Sequence, residues 1–491
     1  MKDDLKNKSI RGGISTIVAT ALSYVLRTIS IVIMARLLSP EHFGLIGMVT
    51  ALLAFTERFK DLGLSLATVQ RKEITHEQVS VLFWINAGIG TLIMVMVAAL
   101  SPVIAWFYND TRLIWISLAL STSFIFGGLT IQHEGLMRRQ MMFGRLGWIQ
   151  VQATMLSVVV GIALAWMGYG YWSLVWKEVL RTAYIAASTW IACGWLPGMP
   201  VRGSGVRSMI RFGRDVTGFD LINVTSRSLD QILIGKVWGA VSLGFYRQAF
   251  QLMALPVTLF QFPVQYVAEP TLSTVQHDDE KYRSYFKKIV ALVSFISMPI
   301  AVYLWVYSKQ VIIVLLGEKW VDAAPIFKVL AIAAFIQPIA SMGGIVMVTR
   351  GETGRYFRLG VMTAICLISS FSIGIFWGTM GVAIAYSLVT YLIFVPLLWY
   401  SFHKSPITLS LLMREIAGSL TASLLMGGIL LFLEAHISYM SNTLVVAISL
   451  ITGILVYFGL WLLFPNGRQK IAEIFSYPLS AYRLKTSGAG S

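Results

Sequence analysis

The chain has 491 residues, of which 56% are hydrophobic and only 13% charged, with a mean hydropathy of +0.73. That is more apolar surface than a soluble domain can bury, which excludes an ordinary soluble enzyme and predicts an all-α polytopic membrane protein. The formal net charge is +16, but the basic residues are dispersed among short loops between apolar runs, a pattern that excludes a nucleic-acid-binding patch.

A hydrocarbon core of about 30 Å takes about 20 helical residues to cross. On that basis fourteen transmembrane helices are predicted, at 13–38, 42–70, 79–101, 113–136, 145–167, 170–195, 210–236, 240–270, 288–308, 324–349, 356–377, 380–402, 410–434 and 440–464. The start "MKDDLKNKSIRGG" leads directly into the first of these, so no removable signal peptide is expected. The run "HDDEKYRSYFKK" (277–288) reads as a solvated connection or an amphipathic surface helix. With both termini cytoplasmic, most Lys and Arg fall on the inner side. The outer loops then keep only Arg36, Arg112, Lys236, Lys309 and Lys319, as the positive-inside rule requires.

The chain also repeats itself. A shift of 200 residues places Arg11 on Arg211, Gly13 on Gly213, Arg27 on Arg227, Arg36 on Lys236 and Gly44 on Gly244. At a slightly larger shift, "FGRLG" (143–147) falls on "YFRLG" (356–360). Six helices per repeat is an even number, so the copies are parallel and a substrate site is expected between them. The domain reading is an N-lobe at 1–200, a C-lobe at 201–403 joined through "LPGMPVRGSGVR" (196–207), an added helix pair at 404–466 and a cytoplasmic tail at 467–491. The closing "TSGAGS" of that tail reads as a cloning remnant.

Beyond the basic residues assigned to loops and tails, eight cations lie inside predicted spans: Arg27, Arg58, Lys60, Lys177, Arg181, Arg227, Arg247 and Lys328. Facing lipid, each costs roughly 2.5–3.5 kcal/mol, on the order of 20 kcal/mol together. A hydrated cavity removes most of that cost. Thr20, Ser23, Arg27 and Ser30 form a polar stripe on the first helix. Asp220, Asn223, Arg227 and Asp230 form its counterpart 200 residues later. Glu57, Lys60 and Asp61 share a face by their i, i+3, i+4 spacing, as do Lys177 and Arg181 at i, i+4, with Glu178 beside them. Local pairing, such as Arg227 with Asp220 or Asp230, is the competing explanation for any single pair.

Other constellations carry less. His133 and Glu134 are adjacent and do not share a helix face, Cys193 and Cys366 have neither metal-ligand nor redox spacing, and no metal site or disulfide is expected. "YGYW" (169–172) fits an interfacial aromatic belt. No Walker A pattern or nucleotide-binding glycine loop occurs. Transport without ATP hydrolysis or cofactor is therefore expected, and not an enzyme. A cation-rich cavity suits a diphosphate, which Arg takes by bidentate hydrogen bonds.

The stretches "GLIGMVTALLAFTERFKDLGLSLATVQRKEIT" (44–75), "LFWINAGIGTLIMVMVAALSPVIAWFYND" (82–110), "RSLDQILIGKVWGAVSLGFYRQAFQLMALP" (227–256), "EPTLSTVQHD" (269–278) and "LLGEKWVDAAPIFKVLAI" (315–332) resemble bacterial polysaccharide transporters of the Wzx type, in their colanic-acid exporter-like branch. The likeness extends over residues 1 to about 400. It implies the multidrug/oligosaccharidyl-lipid/polysaccharide exporter superfamily and a V-shaped two-lobe fold working by alternating access in the bacterial inner membrane. It also implies an undecaprenyl-diphosphate-linked oligosaccharide as the cargo, with membrane lipids and the polysaccharide polymerase and chain-length machinery as partners. Fourteen helices depart from the twelve of many polysaccharide members and match the lipid II flippases, whose extra helix pair forms a lipid-binding groove.

On this reading Arg27 and Arg227 contact the diphosphate, helped by Arg58, Lys60, Lys177, Arg181 and Arg247. Glu57, Asp61, Asp220 and Asp230 are the candidates for coupling to a proton or sodium gradient. Two alternatives remain. A cation-coupled multidrug exporter of the same superfamily is disfavoured by the many cations, and an integral-membrane glycan polymerase or ligase by the short outer loops.

Overall fold

The computed structural model describes residues 2–61, 63–71, 73–201, 207–437, 439–465, 467–470 and 472, without the side chains of 2–14, 17, 57–59, 207–208, 210–227 and 255–267. The described residues are almost wholly helical. The helices are α1 (Lys2–Leu37), α2 (Pro40–Phe59), α3 (Leu64–Gln70), α4 (His76–Tyr108), α5 (Arg112–Arg139), α6 (Phe143–Trp166), α7 (Tyr171–Cys193) and α8 (Arg207–Thr274), then α9 (Asp279–Val306), α10 (Ser308–Leu316), α11 (Ala323–Thr349), α12 (Thr353–Gly374), α13 (Gly378–Phe402), α14 (Leu409–Ile437) and α15 (Asn442–Leu463). Among the described residues, nine stretches are long and apolar enough to cross a membrane, α12 and α13 counting as one. The chain is a multi-pass helical membrane protein. α7, which carries Lys177, Glu178 and Arg181, is not among the nine.

Local sequence explains the helix ends. At the start of α4, Thr75 and Gln78 form a reciprocal capping box, and Asn109 closes the same helix in the left-handed conformation. Asp278 caps α9 by accepting from Lys281 N at 3.0 Å. α8 kinks at Gly239, where φ is +78°, so the two predicted helices 210–236 and 240–270 meet there with no intervening loop.

One expectation changes and a second narrows. The predicted helix 42–70 is interrupted. α2 ends at Phe59, and α3 begins after Gly63, whose φ of +65° an L side chain adopts at a cost. The carbonyls freed at the break do not face lipid, since Asn86 Nδ2 donates to Lys60 O at 3.2 Å and Asp61 O at 3.3 Å. The run 277–288 takes the helical, amphipathic form rather than that of a solvated connection. It opens α9, with Tyr282 and Phe286 fully buried. Its aromatic residues recur at helical spacing, and the charges between them hid that apolar face.

The chain forms two compact units, Met1–Arg247 and Gln248–Ser491. In the second, the core gathers Leu272 of α8, Phe286 and Val290 of α9, Ile339 of α11, Leu398 of α13 and Leu412 of α14. α14 and α15 join it through hydroxyl bonds. Ser294 Oγ donates to Ser419 Oγ at 3.2 Å, Tyr307 OH to Leu430 O at 3.0 Å and Tyr457 OH to Phe295 O at 2.9 Å.

The two units repeat a fastening. Arg139, at the end of α5, donates through Nη1 to the carbonyls of Thr68 and Arg71 at the end of α3. Arg350, just past α11, donates through Nη1 to Gln276 O at 2.7 Å, just past α8. In each case a guanidinium satisfies carbonyls that a helix end leaves without a partner.

Candidate functional site

Four cations predicted from sequence gather in the first unit. Arg27 and Ser30 lie one turn apart on α1, Lys177, Glu178 and Arg181 on α7, and Arg247 on α8. Lys177 Nζ donates to the buried Ser30 Oγ at 2.8 Å, which ties α7 to α1. Arg181 grips Glu178 with two donors, Nε to Oε2 at 3.2 Å and Nη2 to Oε1 at 2.6 Å. The Glu178 carboxylate interacts electrostatically with all four cations, and Lys177 also feels the charges of Arg27, Arg181 and Arg247. Four cations against one carboxylate leave a surplus of three positive charges among these five groups. The Glu178 side chain is nevertheless 43% exposed and that of Arg181 24%, and Arg27 is exposed. The cluster is therefore not sealed inside the packed core.

Glycines make room for these long side chains. A Cβ on Gly47 of α2 would come within 3.1 Å of Arg247 Nη1, and one on Gly161 of α6 within 3.2 Å of Lys177 Cβ. Gly127 of α5 holds Lys60 in the same way, where a Cβ would come within 2.7 Å of Lys60 Nζ. Glycine at these points lets a cationic stem lie along the neighbouring helix. This role was missed in the sequence, where a helix-interior glycine does not reveal its neighbour.

The remaining predicted residues divide. Lys60 and Asp61 form a second cluster with Glu134 of α5, whose charge also meets Arg138. Asp61 caps α3, accepting from Ser65 N at 2.9 Å and Ser65 Oγ at 2.5 Å. Because α2 ends at Phe59, the predicted common face of Glu57, Lys60 and Asp61 is not continuous helix. Asp230 is buried and accepts from Tyr246 OH at 2.8 Å across the α8 kink, and from Gln231 N at 2.8 Å. The side chains of Glu57, Arg58, Asp220 and Arg227 lie outside the described residues, as does that of Asn223.

His133 has a structural surrounding. It stacks on Trp190 at 4.5 Å, and its Nε2 lies 3.2 Å from Trp195 O. The chain leaving α7 is held down nearby, with Gly198 N donating to Ser80 Oγ and Trp84 Nε1 donating to Gly198 O, both at 2.9 Å. At the other end of the unit, Arg112 joins Asp110 at 2.7 Å and Glu41 at 2.7 Å. That guanidinium holds the Asp110 carboxyl below the usual carboxylate range.

Residues 33–325 match the family model described as "Polysaccharide biosynthesis protein". The chain belongs to this family. Similar proteins include the lipopolysaccharide biosynthesis protein WzxC of Escherichia coli (strain K12), 25% identical over 78% of this chain and 79% of that protein. The teichuronic acid biosynthesis protein TuaB of Bacillus subtilis (strain 168) is 27% identical over 85% of this chain and 88% of its own length. In fold, the family member described here is similar to the lipid II flippase MurJ in an inward closed conformation, with a TM-score of 0.75 at 16% identity, covering 95% of this chain and 99% of that one. It is also similar to an inward-facing multidrug resistance MATE family transporter, with a TM-score of 0.62 at 11% identity, covering 81% and 99%. The expected Wzx-type membership and transporter fold are both borne out.

Proposed function

We propose that this protein is a flippase that carries an undecaprenyl-diphosphate-linked oligosaccharide from the cytoplasmic to the periplasmic leaflet by alternating access, for polysaccharide biosynthesis. The observation that carries this reading is the surplus of three positive charges where Arg27 of α1, Lys177 and Arg181 of α7 and Arg247 of α8 meet Glu178. A diphosphate supplies compensating negative charge, and guanidinium groups take its oxygens in pairs. The sugars occupy the accessible polar space, and the polyprenyl tail stays in lipid.

The protein moves its cargo without chemical conversion. It resides in the bacterial inner membrane with both termini cytoplasmic, a reading supported by the loop charge asymmetry. It hands its cargo to polymerase and chain-length machinery. The matched fastenings at Arg139 and Arg350 support the reading of a duplicated six-helix plan. Glu57, Asp61, Asp220 and Asp230 are the candidates for coupling to a proton or sodium gradient, and among the described side chains Asp230 is the buried one. A multidrug exporter taking cationic drugs is disfavoured by the sign of the site.

Reconstituted flipping of an undecaprenyl-diphosphate-linked oligosaccharide tests the assignment. Arg27→Ala, Lys177→Ala and Arg227→Ala should each slow flipping by about tenfold or more, as expected when a charged contact to the cargo is lost. Wild-type rates in all three would refute it.

A further inference from the structure

We propose that Glu178 is an internal counter-ion that occupies the Arg181 fork in the empty protein, yields it to the diphosphate, and thereby sets both selectivity for a doubly charged head group and ease of release. This rests on the diphosphate reading above. The carboxylate meets Nε and Nη2 of Arg181 at 3.2 and 2.6 Å, the two-point arrangement by which a guanidinium takes a phosphate. An anion arriving at Arg181 therefore finds its place filled.

The pair is built to exchange. Its members stand at i, i+3 on one helix, with side chains 24% and 43% exposed, so neither is locked into a packed core. The charged groups that act on the carboxylate among the described residues are cations: Arg27 from α1, Lys177 and Arg181 from α7, and Arg247 from α8. A carboxylate released from Arg181 thus stays close to the other three and can return to its fork when the cargo leaves. Without it, four cations would hold a diphosphate with nothing to pull it away.

Charge gives the selectivity. A sugar linked through one phosphodiester carries a single negative charge, no more than Glu178 itself, and competes poorly for the fork. A diphosphate linkage carries two, and displaces the carboxylate.

The test measures binding of undecaprenyl-diphosphate-linked glucose and undecaprenyl-phosphate-linked glucose to the full chain in nanodiscs. Glu178→Gln should bind both lipids more tightly, the monophosphate form by about tenfold and the diphosphate form by about threefold, so that discrimination narrows while multiple-turnover flipping slows. Glu178→Asp keeps the charge but is too short for the two-point fork. It should fall between wild type and Glu178→Gln, and it decides the matter if the glutamine variant does not fold. Unchanged or weaker binding in the folded variants, with an unchanged ratio between the lipids, would overturn the counter-ion role. Lys177→Gln separates the two readings. If it binds the diphosphate lipid as tightly as wild type, the diphosphate site itself is wrong. If it binds less tightly while the Glu178 variants match wild type, only the counter-ion role falls.

Discussion

Gly44 and Gly244 meet at a reciprocal helix crossing. A Cβ on Gly44 would overlap the carbonyl oxygen of Ala240, and a Cβ on Gly244 would overlap that of Pro40. Both contacts join α2 to the part of α8 after its kink, and Gly44 with Gly244 and Pro40 with Ala240 each stand 200 residues apart, as in the sequence repeat. Backbone touches backbone here, so neither side can yield as a flexible side chain would. Gly44→Ala or Gly244→Ala should destabilise the protein by about 1–3 kcal/mol, seen as a lower thermal transition in detergent. A wild-type transition in both variants would mean that the crossing is looser than described.

Gly127 and Lys60 form a contact of a different kind, because the obstacle is the far end of a flexible chain. Gly127→Ala should displace Lys60, and Lys60→Ala should relieve the clash. A double-mutant cycle on thermal stability is expected to give a coupling of about 0.5–3 kcal/mol. Additive effects would show that the lysine leaves freely.

The hydroxyl pair between Ser294 and Ser419 links α9 to α14 at 3.2 Å. Hydrogen bonds between membrane helices average about 0.6 kcal/mol in such cycles, and the Ser294→Ala/Ser419→Ala cycle should return a value of that size. A value near zero would assign the docking of α14 to apolar packing alone.

Asp110 gives a pH dependence with a definite sign. Arg112 lowers its pKa in the folded protein, so the stabilisation is fully present above the unfolded value of about 4. It is lost as the pH falls through the lower folded value. Arg112 is 41% exposed, and solvent screening limits the contribution to about 1 kcal/mol or less. Thermal stability of wild type and Asp110→Asn should therefore differ by a constant amount between about pH 5 and 8 and converge in acid. A difference that changes near neutrality would point to another group.

Much of this was legible in the sequence because a helix announces itself by apolar length and an intramembrane charge by its expense. Arg27, Lys177, Arg181 and Arg247 were singled out on that ground, and the structure brings them together. Lys60 was grouped with them on charge alone. Its separate place with Glu134 depends on where α2 stops, and that stop is set by Gly63 and by Asn86 donating from α4. The start of α9 is legible as an amphipathic helix but not as part of the span that follows, for a related reason. Charges at Lys281, Arg283, Lys287 and Lys288 masked a face carried by Tyr282 and Phe286, which only the packed neighbours reveal. The Gly44–Gly244 match was visible as an alignment, but nothing in a sequence says that two aligned residues touch.

The hold on Trp195 and Gly198 changes what the basic loop 196–207 can do. With its first residues hydrogen-bonded to α4 and α5, the loop is a leash tied off at Gly198. From there to Arg207 a fully extended chain reaches roughly 30 Å. The tether's length, rather than its glycines and prolines, limits how far the start of α8 can travel from this anchor.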